Sequence, residues 1–294
     1  MELHAPALTT ADCEGGSETF KIGSGKDYFG NDIYLTVSAQ MHAEAAVYAH
    51  PRIFTFGPVF RAEPHATNRH LCEFPMLELE VAFLKSLESL VGLAEDLLKE
   101  TLAGVLSDRT AAPYLDHCWN RFQADRRRIE SLLTAQFKVI EYQHISEMID
   151  RGTVAFERPF RRDEGLSTEI ERWLCEKVVG GPVFVVNYPK SAKPFYMKRN
   201  ADGESVANFD LLLPGQLEVA GGSLREDDFE LLTERVKELG LANLDWYLDL
   251  RKFGGIPHGG FGFGFDRILQ TITGCPNIRD VCTFPRIRGE RSNL

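Results

Sequence analysis

The sequence predicts an α+β fold, an antiparallel sheet flanked by helices, and two patterns carry that expectation. Residues 52–60 are strand-like and apolar residues alternate through 72–83, with the polar stretch 62–70 between them, which is the signature of one long hairpin. Helical segments are then inserted between strands in long blocks. Regular strand–helix–strand alternation, the mark of a doubly wound parallel sheet, is absent.

In chain order, residues 3–9 read as a strand interrupted by Pro6, and residues 17–22 and 32–37 as strands joined by the turn Gly23-Ser24-Gly25. Ser38 is a candidate N-cap for a helix over 40–48. After the hairpin, residues 87–105, 120–133 and 168–178 have amphipathic helical spacing. Residues 182–187 and 206–213 are apolar strands. A helix over 226–239 ends at Gly240, and a short one covers 246–252. Residues 261–264 form a Gly-rich strand feeding a helix over 266–273, stopped by Gly274 and Pro276.

With 294 residues and 44% apolar content, the chain can bury one large core, or one core and a small appended unit. A net charge of −10 argues against non-specific nucleic-acid binding but leaves room for a local basic patch. Arg126-Arg127-Arg128 and the arginines within 158–162 are the basic clusters, and both read as solvated surface. No apolar run approaches a membrane span, and the first residues carry no leader pattern. The six cysteines form no CxxC and no zinc spacing, and read as reduced structural thiols.

Two glycine motifs fail on inspection. Gly23-Ser24-Gly25-Lys26 has Phe20 and Asp27 where a phosphate-binding P-loop needs Gly and Ser or Thr. Gly260-Phe261-Gly262-Phe263-Gly264 has GxGxG spacing and no following βαβ unit, unlike a dinucleotide fingerprint.

Three segments carry chemistry together: residues 56–74, 217–225 and 258–267. Arg61 ends a near-apolar strand, so its guanidinium faces either an anionic ligand or Glu63. Arg267 opens a helix after four glycines in six residues, where backbone can approach a flat ligand or simply pack as a bulge. Phe74 offers a face for a nucleobase, or a core side chain. Asp210 and Glu218 flank Pro214-Gly215, and two such carboxylates either hold Mg²⁺ with phosphates or sit on a solvated turn.

In order and spacing, these segments resemble the class II aminoacyl-tRNA synthetases. Residues 56–80 resemble motif 2, with Phe56-Gly57-Pro58-Val59-Phe60-Arg61-Ala62-Glu63. Residues 258–273 resemble motif 3, with Gly259-Gly260-Phe261-Gly262-Phe263-Gly264-Phe265-Asp266-Arg267. The likeness runs on through Ile278-Arg279-Asp280-Val281 and Phe284-Pro285-Arg286, and is weakest over a helical insertion at 107–165. Lys193-Pro194-Phe195-Tyr196-Met197 and the Asp210-to-Glu218 spacing are similar to the asparaginyl subfamily. So are Glu78, where aspartyl members carry Asp, and Ala43, where they carry a Lys that would pair with a substrate carboxylate. Leu217 stands at a turn position where the family commonly has Gly.

The resemblance implies a ligase that activates asparagine with ATP and Mg²⁺ and passes it to the acceptor end of tRNA(Asn). It implies that Arg61 holds the α-phosphate and substrate carboxylate, and that Glu63 accepts from the adenine amino group. Phe74 and Arg267 would sandwich adenine, with Arg267, His70 and Arg69 at the γ-phosphate. Asp210 and Glu218 would hold Mg²⁺, Glu14 and Gln40 the α-ammonium, and Arg225 and Glu78 the side-chain amide. Family members are homodimers with an N-terminal OB-fold anticodon domain. Here no OB-fold segment is visible, and motif 1 is expected only as a tail near residues 3–9. A free-standing paralogue making an amide through an aminoacyl-adenylate, and a non-catalytic module keeping the fold, are the alternatives. The cytoplasm or the mitochondrial matrix is the expected compartment, with no membrane association.

Overall fold

The structure, a computed structural model, describes residues 1–10, 19–64, 67–152 and 154–289. Near the start, β1 (Leu8–Thr9), β2 (Lys21–Ile22) and β3 (Ile33–Leu35) form a small sheet in the order β1-β3-β2. The strand expected over 3–9 shrinks to β1, since Pro6 has no N–H for a ladder. Upstream, Leu3 N–H donates to the Phe54 carbonyl at 2.9 Å. The glycine turn expected at 23–25 forms at 23–24 and leads into a short helix, α1 (Gly25–Phe29), closed by Gly30 in the left-handed region at φ 74°. In α2 (Gln40–Val47) the capping position is Ala39, without a side-chain cap. Ser38 sits one residue earlier, where its hydroxyl accepts from Gln40 N–H at 3.0 Å and donates to Glu78.

The hairpin forms as expected from β4 (Arg52–Phe60) and β5 (Glu73–Ala82). Next come α3 (Leu87–Ser107), α4 (Ala112–Phe122), α5 (Arg126–Thr134), β6 (Lys138–Glu141), α6 (Tyr142–Arg151) and α7 (Thr168–Trp173), the last prolonged by a π-helical turn. After these follow β7 (Val183–Val186), β8 (Asn208–Leu213), β9 (Leu217–Leu224), α8 (Phe229–Glu238), α9 (Asp245–Lys252), β10 (His258–Gly264) and α10 (Phe265–Thr273). The seven-stranded sheet runs β4-β5-β10-β9-β8-β7-β6.

Two expectations need correction. The single helix expected over 120–133 is two helices. Gln123 breaks them in the left-handed region at φ 52°, and Asp125 caps α5 by accepting from Arg127 N–H. The insertion at 107–165 is not purely helical, because it contains β6, which pairs parallel with β7 while the other pairs in this sheet are antiparallel. Lys-Val-Ile-Glu is too short and too exposed to show a period of two.

Strand alternation sorts the sheet's two faces. Phe184, Val186, Phe209, Leu211, Phe261 and Phe263 pack with α3, α4, α5 and α10 in the largest core. On the other face Val183, Val185 and Leu212 pack with α6 and α7. Across that same face α2, α8 and α9 share a second cluster with Phe195 and Tyr196. Between these groups β10 presents glycines rather than phenylalanines. The basic clusters are solvated as expected: Arg126 pairs with Glu130, Arg161 with Asp163 and Arg162 with Asp150. The cysteines among the described residues are free thiols; Cys13 lies outside them.

Candidate active site

The glycines of β10 create the site. Gly260 opposes Glu80 and Gly262 opposes Glu78 across the β5–β10 ladder. A Cβ at Gly260 would lie 2.1 Å from the Leu79 carbonyl and 2.2 Å from Glu80 Oε2; one at Gly262 would lie 2.3 Å from Met76 Cε. Phenylalanines fill the opposite face of the strand, so the Gly/Phe alternation builds core on one side and floor on the other.

Over this floor lies a cavity of about 330 Å³, and every described candidate lines it: Arg61, Glu63, Arg69, His70, Phe74, Glu78, Gln40, Asp210, Glu218, Arg225 and Arg267. Glu14 lies outside the described residues. Ala43 also lines the wall, with no cation in its place.

Two polar clusters divide the cavity. The first centres on Glu218. Burial alone would raise its carboxyl, but Arg267, then Lys193, Arg61 and Arg69, outweigh burial and hold it below the ordinary value. Arg61 and Arg267, far apart in sequence, therefore act on one point. Arg267 Nη1 donates to the Glu218 backbone carbonyl at 2.6 Å, with the carboxylate 3.9 Å away. Asp210 is paired with Lys193 at 2.6 Å. Both Asp210 Oδ1 and Glu218 Oε1 come within 4 Å of a Cβ placed on Gly221. The Arg61 guanidinium rests 5.6 Å from the centroid of Phe74, so that ring already carries a cation on its face. His70 Nε2 lies 3.8 Å from Glu63, and His70 Nδ1 lies 2.6 Å from the Thr67 hydroxyl. Leu217 takes the left-handed conformation at φ 61° that a glycine would favour, and Glu218 nonetheless faces the cavity.

The second cluster is fully buried. Arg225 donates through Nη2 to Glu80 at 2.9 Å and through Nη1 to Ser223 at 2.8 Å. Glu44 accepts from Gln40 Nε2 at 2.8 Å, Tyr247 at 2.7 Å and Arg251 at 2.5 Å, and faces His258 Nε2 at 3.0 Å. Burial would raise the Glu44 carboxyl, yet Arg251, His258 and Arg225 hold it far below its ordinary value. For Glu80, burial outweighs Arg225 and lifts the carboxyl. Glu78 is clasped by the Ser38 hydroxyl and by Ala39 N–H at 2.8 Å, so part of its hydrogen-bonding capacity is spent on the turn before α2.

Several residues of the site were not singled out by sequence reasoning. Glu80 follows Glu78 by two on one strand face, and Glu44 follows Gln40 by four on one helix face, so spacing could have found both. Glu171 on α7 lies 4.0 Å from Arg69. Burial pushes its carboxyl up to about 8, with Glu218 adding to the shift and Arg69 opposing it. No local pattern marks it.

Chemically, the first cluster is a cationic bowl for polyanions with two oxygen donors at its wall, and the second is a charge-compensated socket. A divalent ion fits Asp210 and Glu218 only if phosphate oxygens complete its shell. Among the described residues no group of three or more His, Cys, Asp or Glu could hold a metal unaided.

The model of a family described as tRNA synthetases class II (D, K and N) matches residues 1–288. An asparaginyl-tRNA synthetase of Mus musculus is 42% identical over 97% of this chain and 62% of its own length. An asparagine–tRNA ligase of Geobacter sulfurreducens is 43% identical over 97% of this chain and 65% of its own. The chain thus spans somewhat under two thirds of these relatives. A solved asparaginyl-tRNA synthetase of Pyrococcus horikoshii, complexed with asparaginyl-adenylate, superposes with TM-score 0.84 at 33% identity, covering 99% of this chain and 64% of that one. One from Entamoeba histolytica, in complex with the same adenylate, gives 0.84 at 30%, covering 99% and 63%.

Proposed function

The chain belongs to the class II tRNA synthetases of the D, K and N group, and from that membership we propose that it is an asparagine–tRNA ligase core that activates asparagine with ATP. The observation that carries this reading is the pairing of two unlike clusters over one glycine floor. Arg61, Arg69, Lys193 and Arg267 converge on Glu218, and beside them Arg225, Glu78 and Gln40 line the compensated socket.

In the proposed reaction the asparagine carboxylate attacks the α-phosphate and pyrophosphate leaves. A carboxylate is already a nucleophile at neutral pH, so the protein contributes position and charge neutralisation rather than a base. Arg61 holds the α-phosphate and the carboxylate together; Arg267, Arg69 and His70 take the outer phosphates. Glu63 and Phe74 receive adenine, which displaces the Arg61 guanidinium from sole possession of the ring face. Glu218, and Asp210 once it shares its oxygens with more than Lys193, would hold Mg²⁺, which would supply further neutralisation of the phosphates. Gln40 receives the α-ammonium, and Arg225 and Glu78 the carboxamide. The tRNA(Asn) acceptor end approaches past the loop around Arg69. A homodimer is also proposed. In its support, Phe54 and Phe56 on β4 are exposed together with Phe265.

Amino-acid-dependent ATP–pyrophosphate exchange tests the reading. Exchange with asparagine and not with aspartate is the expected result. Exchange with aspartate alone would replace it with the amide-forming paralogue.

A further inference from the structure

Arg225 lines the cavity yet cannot act there as a bare cation. Of its five N–H bonds, one on Nε and one on Nη2 reach Glu80 and one on Nη1 reaches Ser223, so two hydrogens, one on each terminal nitrogen, are left to donate. Behind it, Glu44 Oε1 lies 3.8 Å from Arg225 Nε, and Glu44 Oε2 holds Arg251, itself buried. Two guanidiniums thus share Glu44 and Glu80. The same Glu44 Oε1 accepts one hydrogen of the Gln40 amide nitrogen, which fixes the orientation of the amide and leaves its carbonyl oxygen and one N–H hydrogen to offer a ligand.

We propose that Glu44, which does not line the cavity, is the positioning residue that makes this socket select a carboxamide over a carboxylate. It cancels the guanidinium charge behind the wall and fixes the orientation of the Gln40 amide. This deepens the asparagine-activation reading and rests on it. A substrate carboxylate entering the socket would have to leave water for a site whose cations are already matched, with Glu78 as a neighbour. A neutral carboxamide loses no charge solvation and still finds the two remaining Arg225 hydrogens. Glu44 carries this role more than Glu80 does, because Arg251, His258 and Arg225 hold it ionised while burial lifts Glu80. Ala43 removes a cation from the wall, and Glu44 removes the effect of the cations behind it.

The test is the ratio of dissociation constants for the sulfamoyl-adenosine analogues of asparaginyl- and aspartyl-adenylate, titrated calorimetrically into the 294-residue chain. Glu44→Gln leaves one guanidinium charge unmatched. It is expected to shift the ratio toward the aspartyl analogue by about tenfold or more. Glu44→Gln combined with Arg251→Gln removes one charge of each sign and is expected to restore the preference. Tyr247→Phe, which deletes a hydrogen bond to Glu44 without changing charge, is expected to leave the ratio where it was. Should Glu44→Gln fail to fold, Arg251→Gln alone is expected to move the ratio the opposite way. Equal weakening of both analogues in the charge variants, with the ratio unmoved, overturns the proposal and leaves asparagine activation standing. A wild-type chain that binds neither analogue overturns both.

Discussion

The Glu44–Glu80–Arg225–Arg251 cluster and the Glu218–Arg267–Arg61 cluster share one sheet face and similar residue types, but they are built to opposite ends. In the first, Arg251 and Glu44 have side chains at 0% exposure, and each carboxylate is met by several donors at hydrogen-bond distance. In the second, Arg267 is 23% exposed, and its close contact is a backbone carbonyl rather than a carboxylate. Charges closed on one another form a rigid wall that a neutral group can touch. Charges left partly open form a receptor for phosphate. The same side chains serve either purpose, and their partners decide which.

Gly260→Ala would break the closed cluster most sharply. Its Cβ meets backbone at 2.1 Å and the Glu80 carboxylate at 2.2 Å, neither of which can yield. We expect a loss of about 3–5 kcal/mol or failure to fold, as for an uncoupled buried ion pair. A near-wild-type urea midpoint would show that the cluster is not rigid.

Arg267→Ala attacks the open cluster. Exchange should fall about 10²–10³-fold, while thermal stability changes by less than about 1 kcal/mol because the side chain is partly solvated. A large drop in Tm with the residual rate preserved would reverse the assignment of the two clusters.

Asp266 borders the open cluster. Its Oδ2 is buried and lacks a hydrogen-bond partner, and burial lifts the carboxyl to about 6. A folded-state value above the unfolded one favours the acid form. Stability from this group is therefore complete below about pH 4 and is lost as pH rises through 6. Asp266→Asn is expected to stabilise the chain at pH 7.5 by about 1–2 kcal/mol and to do nothing at pH 4. A gain equal at both pH values would mean that charge is not the cause.

Gly262→Ala should have the smallest effect. Its Cβ meets the tip of Met76, which can swing aside, and we expect about 1 kcal/mol or less. A loss as large as that of Gly260→Ala would mean that the glycine floor is uniformly tight and that the two clusters do not differ in rigidity.

Much of this architecture was legible in the chain. The strand-like run of β4 and the alternation through β5 foretold the hairpin, and the Gly/Phe alternation foretold β10, because a period of two is a local property of the backbone. Arg61, Phe74, Glu218 and Arg267 were legible through their order and spacing. The break at Gln123 was not, since no glycine or proline announces it. β6 was not either, since four half-polar residues become a strand only when β7 lies beside them.

By itself, then, the sequence determined the hairpin, the strand that bears the Gly/Phe alternation and the long amphipathic helices, which residue types converge on an anionic ligand, and that no cation stands at position 43. Only the tertiary structure decided who neutralises whom. Arg225 meets Glu80 across 145 residues, His258 meets Glu44 across 214, and Lys193 rather than a solvated turn takes Asp210. The physical reason is that a buried charge must find a partner wherever the fold supplies one. Burial and long-range contact, which no local pattern encodes, are what turn an arginine into a wall or into a receptor.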